Sequence, residues 1–143
     1  MKLLAFEMRW LLAITVAILP SGAHERLADG ADRVPMRDFY DDLLVRAPLR
    51  PMLGLRAAVW LIALSPPFMM RRARTFGGLA AAERAGLLAA LAGSDIYLVR
   101  ELPLLVKTMA LMGYGAMPRV QRAAGVEYEP PAPPVWLRKR DTE

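Results

Sequence analysis

The sequence predicts an all-α fold: a small bundle of about five helices, followed by a proline-rich, disordered C-terminal tail. Two observations carry this. Apolar residues recur at spacings of three and four in five segments, and no segment alternates in the way a strand requires. The hydrophobic content of 55% exceeds the ordinary range of about 45–50%, and much of the excess is alanine, leucine and methionine, which favour helix.

The first helix is expected over residues 4–19, stopping at Pro20. SGAHERLADGADRV then reads as a polar loop with two glycines. Pro35 opens a second helix at the position where its missing N–H costs nothing. In MRDFYDDLLVRA, Phe39, Leu43 and Leu44 interleave with Asp38, Asp41 and Asp42 at a helical period, and carboxylates near the start suit the helix dipole. Pro48 and Pro51 restart the chain. A third helix follows over residues 52–64, with Arg56 its only charge, so it is expected to be buried nearly all round. Pro66 and Pro67 end it, because the residue before a proline avoids helical angles. MMRRARTFGG reads as a hinge-like connection, and LAAAERAGLLAALAG as a fourth helix closed by Gly93.

Ser94 or Asp95 caps the fifth helix, which runs into ELPLLVKTMALMGYGAMP. Leu98, Leu102, Leu105, Met109 and Met112 predict its core stripe. Arg100 and Lys107 share another face beside Glu101. Pro103 either kinks this helix or marks its true start. The third and fifth helices are expected at the centre of one domain, residues 1–125, long enough for a real core. Residues 126–143 form the tail, which cannot bury enough surface to fold alone. Trp136 and Leu137 inside it read as a short docking peptide.

The formal net charge is +5, with 19 basic residues, but these are scattered. The only clusters are RRAR (Arg71, Arg72, Arg74) and RKR (Arg138, Lys139, Arg140), with no basic stripe interleaved with aromatics. A nucleic-acid partner is therefore not expected. Two small clusters fit an anionic membrane surface or an acidic protein. The absence of cysteine removes disulfides, thiolate metal sites and cysteine nucleophiles.

The apolar run from Trp10 to Leu19 has small residues after it, as a signal peptide would. Glu7, however, lies where only basic residues belong, and Ser21, Gly22 and Ala23 after Pro20 make only a loose cleavage site, so a cleaved signal is not expected. That run, and the apolar segment 57–70 with its two prolines, are both shorter than the roughly 20 residues a membrane-spanning helix needs. Both read as buried helices or as helices lying in an interface.

No constellation of chemistry emerges. His24 is the single histidine, and a metal site needs several converging ligands. Asp38, Asp41 and Asp42 have no second acidic set opposite them and read as a solvated helix start. Serine nucleophiles lack a base. RTFGG and MGYGAMP lack the phosphate-loop pattern. The methionines read as core filler. Lys107, on so apolar a helix, must snorkel, pair or meet a partner. The expectation is no catalytic residue, no cofactor site and no metal site.

Several of these segments together resemble a known pattern. ILP (residues 18–20) ends an N-terminal helix. FGGL, ER, LL and L follow across residues 76–91, then Ser94, Tyr97 and Arg100. LLVK with Lys107, Tyr114 and Pro118 leads into VQRAAGVEYEPP. This resembles the small helical subunit of membrane-associated gluconate-type dehydrogenases. It is similar also to the helical N-terminal extension of long-chain alcohol oxidases. Both accompany flavoproteins of the glucose–methanol–choline oxidoreductase class.

The resemblance implies a non-catalytic accessory subunit, not an enzyme, that binds and stabilises a larger FAD-dependent dehydrogenase or oxidase. It places Arg100, Lys107 and Tyr114 at the subunit contact, with Trp136 and Leu137 of the tail facing the same partner. Some family members carry the export signal for both subunits. No twin-arginine pair precedes the apolar run here, so a cytoplasmic or peripheral inner-membrane location is expected. The alternative is a peripheral membrane protein with no enzyme partner, its first and third helices lying in the interface beside RRAR.

Overall fold

The computed structural model describes residues 2–126. Its α-helices are α1 (Ala5–Ile18), α2 (Met36–Arg46), α3 (Leu49–Leu64), α4 (Pro66–Met69), α5 (Ala81–Ala92), α6 (Tyr97–Gly115) and α7 (Pro118–Ala124). Short 3₁₀ turns at Ala31–Arg33 and Phe76–Gly78 precede α2 and α5, and no strand occurs among the described residues. The all-α class stands. The helix count among the described residues is seven rather than five.

The two additional helices both begin at proline. Pro66 and Pro67 interrupt the ladder of α3 without ending helical geometry. Ser65 before them keeps right-handed angles, and the Met69 N–H donates to the Ser65 carbonyl at 2.9 Å. A proline at the first helical position gives up a donor that had no intrahelical acceptor. Pro118 starts α7 in the same way, and Gly125 closes it with φ of +73°, a conformation glycine adopts freely. Pro51 falls within the first turn of α3, so that helix starts at Leu49. Gly93 closes α5, as expected, with φ of −89°.

The centre of the bundle is the α3–α6 pair, the expected third and fifth helices, with α1, α2 and α5 packed around it. The stripe that α6 buries differs from the expected one. Pro103, Val106, Ala110 and Gly113 are buried, while Leu102, Leu105 and Met109 are half-buried and Leu98 and Met112 are 63% and 66% exposed. Each buried residue lies one place beyond an expected one, a rotation of about 100°.

The small residues decide that rotation, because neighbouring helices come closest where side chains are short. A Cβ on Gly113 would stand 2.5 Å from ring carbons of Phe39 in α2. Pro103 is buried inside α6, which therefore starts earlier, at Tyr97. The expectation that α3 is buried nearly all round is also corrected. Met52, Leu55, Val59 and Ile62 are buried, but Leu53, Trp60 and Leu64 are exposed.

Two polar groups in the interior are satisfied locally. Thr15 donates its hydroxyl to the Leu11 carbonyl at 2.8 Å and lies 2.8 Å from the Tyr40 hydroxyl. Having spent its one proton, Thr15 accepts from Tyr40. Glu7, with 0% of its surface exposed, accepts from Arg56 Nε at 2.7 Å, Trp60 Nε1 at 2.6 Å and the Leu4 N–H at 2.7 Å. The rings of Phe6, Trp10 and Trp60 meet edge to face around it.

Candidate partner-docking site

Along α5, Ala85, Ala89 and Ala92 lie on one face at spacings of four and three. Their short side chains leave open space against α6 and the end of α1. The result is a cleft of about 560 Å³, floored by these alanines with Leu88, Ile18 and Pro103, and edged by Arg100, Glu101, Leu104 and Lys107.

The charged edge follows from the helical repeat. Arg100, Leu104 and Lys107 are four and three residues apart, so one face of α6 presents two cations around a leucine. Arg100 is held loosely. Its Nε lies 3.4 Å from Glu101, its Nη1 lies 3.3 Å from the Ser94 carbonyl, and its guanidinium sits 5.9 Å from the Tyr97 ring centre. Lys107 is exposed and has no ion pair among the described residues. The cleft combines an apolar floor with a rim of two cations and one carboxylate, which suits an apolar helix or strand carrying a carboxylate.

The structure thus brings together two of the expected contact residues, Arg100 and Lys107. Tyr114 is not with them. It lies further along α6, only 7% exposed, beneath the loop that joins α1 to α2. Its hydroxyl donates to the Asp29 carbonyl, and Arg119 of α7 pairs with the Asp29 carboxylate at 2.7 Å. Burial, then the Asp29 charge, holds the Tyr114 hydroxyl above its ordinary pKa. Tyr114 therefore ties two parts of this chain to each other. Trp136 and Leu137, with residues 127–143 of the proline-rich tail, lie outside the described residues.

Other candidates fall into place as solvated groups. His24 is exposed, its Nδ1 accepting the Arg26 N–H at 3.2 Å. Asp41 and Asp42 pair along α2 with Arg37 and Arg46. Among the described residues, no three histidine, aspartate or glutamate side chains converge as metal ligands.

The Glu7–Arg56 pair was missed in sequence. The signal was present: one acid in an apolar first helix and one base mid-way along an apolar third helix, each needing a partner. Burial alone pushes the Glu7 carboxyl up. The Leu4, Trp60 and Arg56 hydrogen bonds and the Arg56 charge outweigh that and hold its pKa below 4.5. A second groove was also missed. It lies between α3, α4 and α6, holds about 540 Å³, and is lined by Trp60, Leu64, Phe68, Val99 and Leu102. No family model, curated protein or solved structure matches the chain.

Proposed function

We propose that this chain is a non-catalytic accessory subunit that docks, through the α1–α5–α6 cleft, on a larger FAD-dependent dehydrogenase or oxidase of the glucose–methanol–choline class. The docking role rests on one observation: an apolar cleft of about 560 Å³ whose rim carries Arg100 and Lys107. An apolar core with a polar rim is the usual anatomy of a protein contact. The class of partner rests on the resemblance carried by ILP (residues 18–20) and by residues 60–125. The subunit acts by covering apolar surface on the flavoprotein and so favouring its folded state.

The test is a pull-down of the tagged chain from its host, with the visible absorbance of the eluate recorded. The expected result is a yellow complex containing one larger polypeptide in fixed ratio. Arg100→Glu combined with Lys107→Glu removes that polypeptide while the variant keeps the wild-type circular dichroism. A colourless eluate with no stoichiometric partner defeats the proposal.

A further inference from the structure

On the side of α6 away from the docking cleft, the outer face of α3 is apolar and continues into α4. Trp60, Leu64 and Phe68 follow one another at intervals of four, and all three are exposed. Phe68 is 86% exposed, the most exposed of the large apolar side chains among the described residues. It stands beside the second groove, of about 540 Å³. Ile96 and Leu98, at the neighbouring end of α6, are also exposed. A projecting phenylalanine beside an apolar groove is not what a helix facing water requires.

The charges next to this patch are mainly positive. The chain leaves α4 through Arg71, Arg72 and Arg74. Arg71 takes a left-handed φ of 51°, and the Arg72 N–H turns back to the Pro66 carbonyl at 3.4 Å. Arg71 and Arg72 thus follow Phe68 by three and four residues, and Arg74 by six. Arg72 also pairs with Glu83 at 3.3 Å, leaving Arg71 and Arg74 without an ion pair among the described residues. Residues 66–95 carry four arginines against the carboxylates of Glu83 and Asp95.

We propose that the α3–α4 face is a docking site for an anionic lipid surface: Phe68, Leu64 and Met69 enter the acyl boundary while Arg71 and Arg74 meet the headgroup phosphates. Charge complementarity selects this occupant, because apolar side chains flanked by cations match a layer that is apolar below and anionic above. A peripheral contact is what the helices allow, since none of them among the described residues is long and apolar enough to cross a membrane. α1, expected in sequence to share this role, is otherwise engaged, with Met8, Leu11 and Ile14 in the core. This surface shares no residue with the docking cleft, so the accessory-subunit reading can fail without it and the reverse.

The test is flotation of the full chain with vesicles of phosphatidylcholine alone, or of phosphatidylcholine mixed with phosphatidylglycerol, at low and high salt. Binding is expected to the mixed vesicles at low salt and to fall as salt rises. Phe68→Ser is expected to weaken it about tenfold, from the lost apolar burial. Arg71→Asn and Arg74→Gln each weaken it about fivefold. All three side chains are exposed, so these variants keep the fold, which circular dichroism checks. No flotation with the mixed vesicles overturns the proposal, as does flotation that none of the variants changes. A solution dimer that Phe68→Ser dissociates, with no lipid binding, also overturns it and assigns the face to a second copy of the chain.

Discussion

Replacing Arg56 with methionine tests how α1 is held to α3. The substitution keeps most of the aliphatic stem and removes the guanidinium, so Glu7 keeps the Leu4 and Trp60 donors but loses its cation. Removing one side of a buried ion pair costs about 3–5 kcal/mol, and losing one hydrogen bond to a charged group about 1.5–3 kcal/mol. The Arg56 side chain is 32% exposed, so water reaches the vacated place, and the lower range applies. The expected loss is about 2 kcal/mol at neutral pH, or roughly 6–10 °C in Tm for a domain of this size. The assay is urea unfolding followed by circular dichroism.

The cycle with Glu7→Gln supplies the control. If the pair is coupled, the double variant loses at least about 1 kcal/mol less than the two single losses added. Acid pH gives a second readout. The folded Glu7 carboxyl lies below its ordinary 4.5, so its contribution is complete above 4.5 and is lost as pH falls through the lower folded value. Arg56→Met shrinks that acid-side loss. Strict additivity in the cycle, with an unchanged acid limb, would refute the reasoning.

Two further expectations concern packing. Gly113→Ala places a methyl group 2.5 Å from the Phe39 ring. Overpacking of about 1–3 kcal/mol outweighs the gain of about 1 kcal/mol in helix propensity, so urea unfolding shows a net loss, which Phe39→Leu relieves. Tyr40 is held neutral by burial, its pKa pushed up to about 12 from 10.0 in spite of the Thr15 hydrogen bond. The unfolded chain ionises first, so stability is fully present below pH 10 and falls between 10 and about 12, by about 2–3 kcal/mol. Tyr40→Phe flattens that alkaline limb in a pH series of unfolding curves.

The helices were legible because their apolar period and their prolines are local. What the sequence hid is which face of each helix turns inward. A stripe drawn through the large residues Leu98, Leu102, Leu105, Met109 and Met112 missed by one residue. Close packing in α6 is set by Ala110 and Gly113, which carry little weight in a count of hydrophobicity. Pro66 was equally ambiguous, since a residue that ends one helix is well suited to begin the next.

At the candidate site, Arg100 and Lys107 were found because charge on an apolar helix must lead somewhere. The alanine floor opposite them was invisible, because it depends on how α5 sits against α6. Tyr114 misled for the converse reason. Its polar atom is satisfied by a main-chain carbonyl 85 positions earlier, which no local pattern encodes.

That last bond has a consequence for the order in which the chain assembles. Asp29 is gripped twice, by Tyr114 through its carbonyl and by Arg119 through its carboxylate. Neither grip can form on the ribosome until almost all of the helical region has been made. The α1–α2 connection, held locally by bonds such as the Gly30 N–H to Ser21 Oγ at 2.9 Å and the Ala31 N–H to the Leu19 carbonyl at 2.9 Å, is tied to the far end of the chain only when the last helices arrive. In the finished protein the two form one cooperative unit. Amide protons in the 20–35 loop are expected to exchange together with those of α7, although α2 to α6 lie between them.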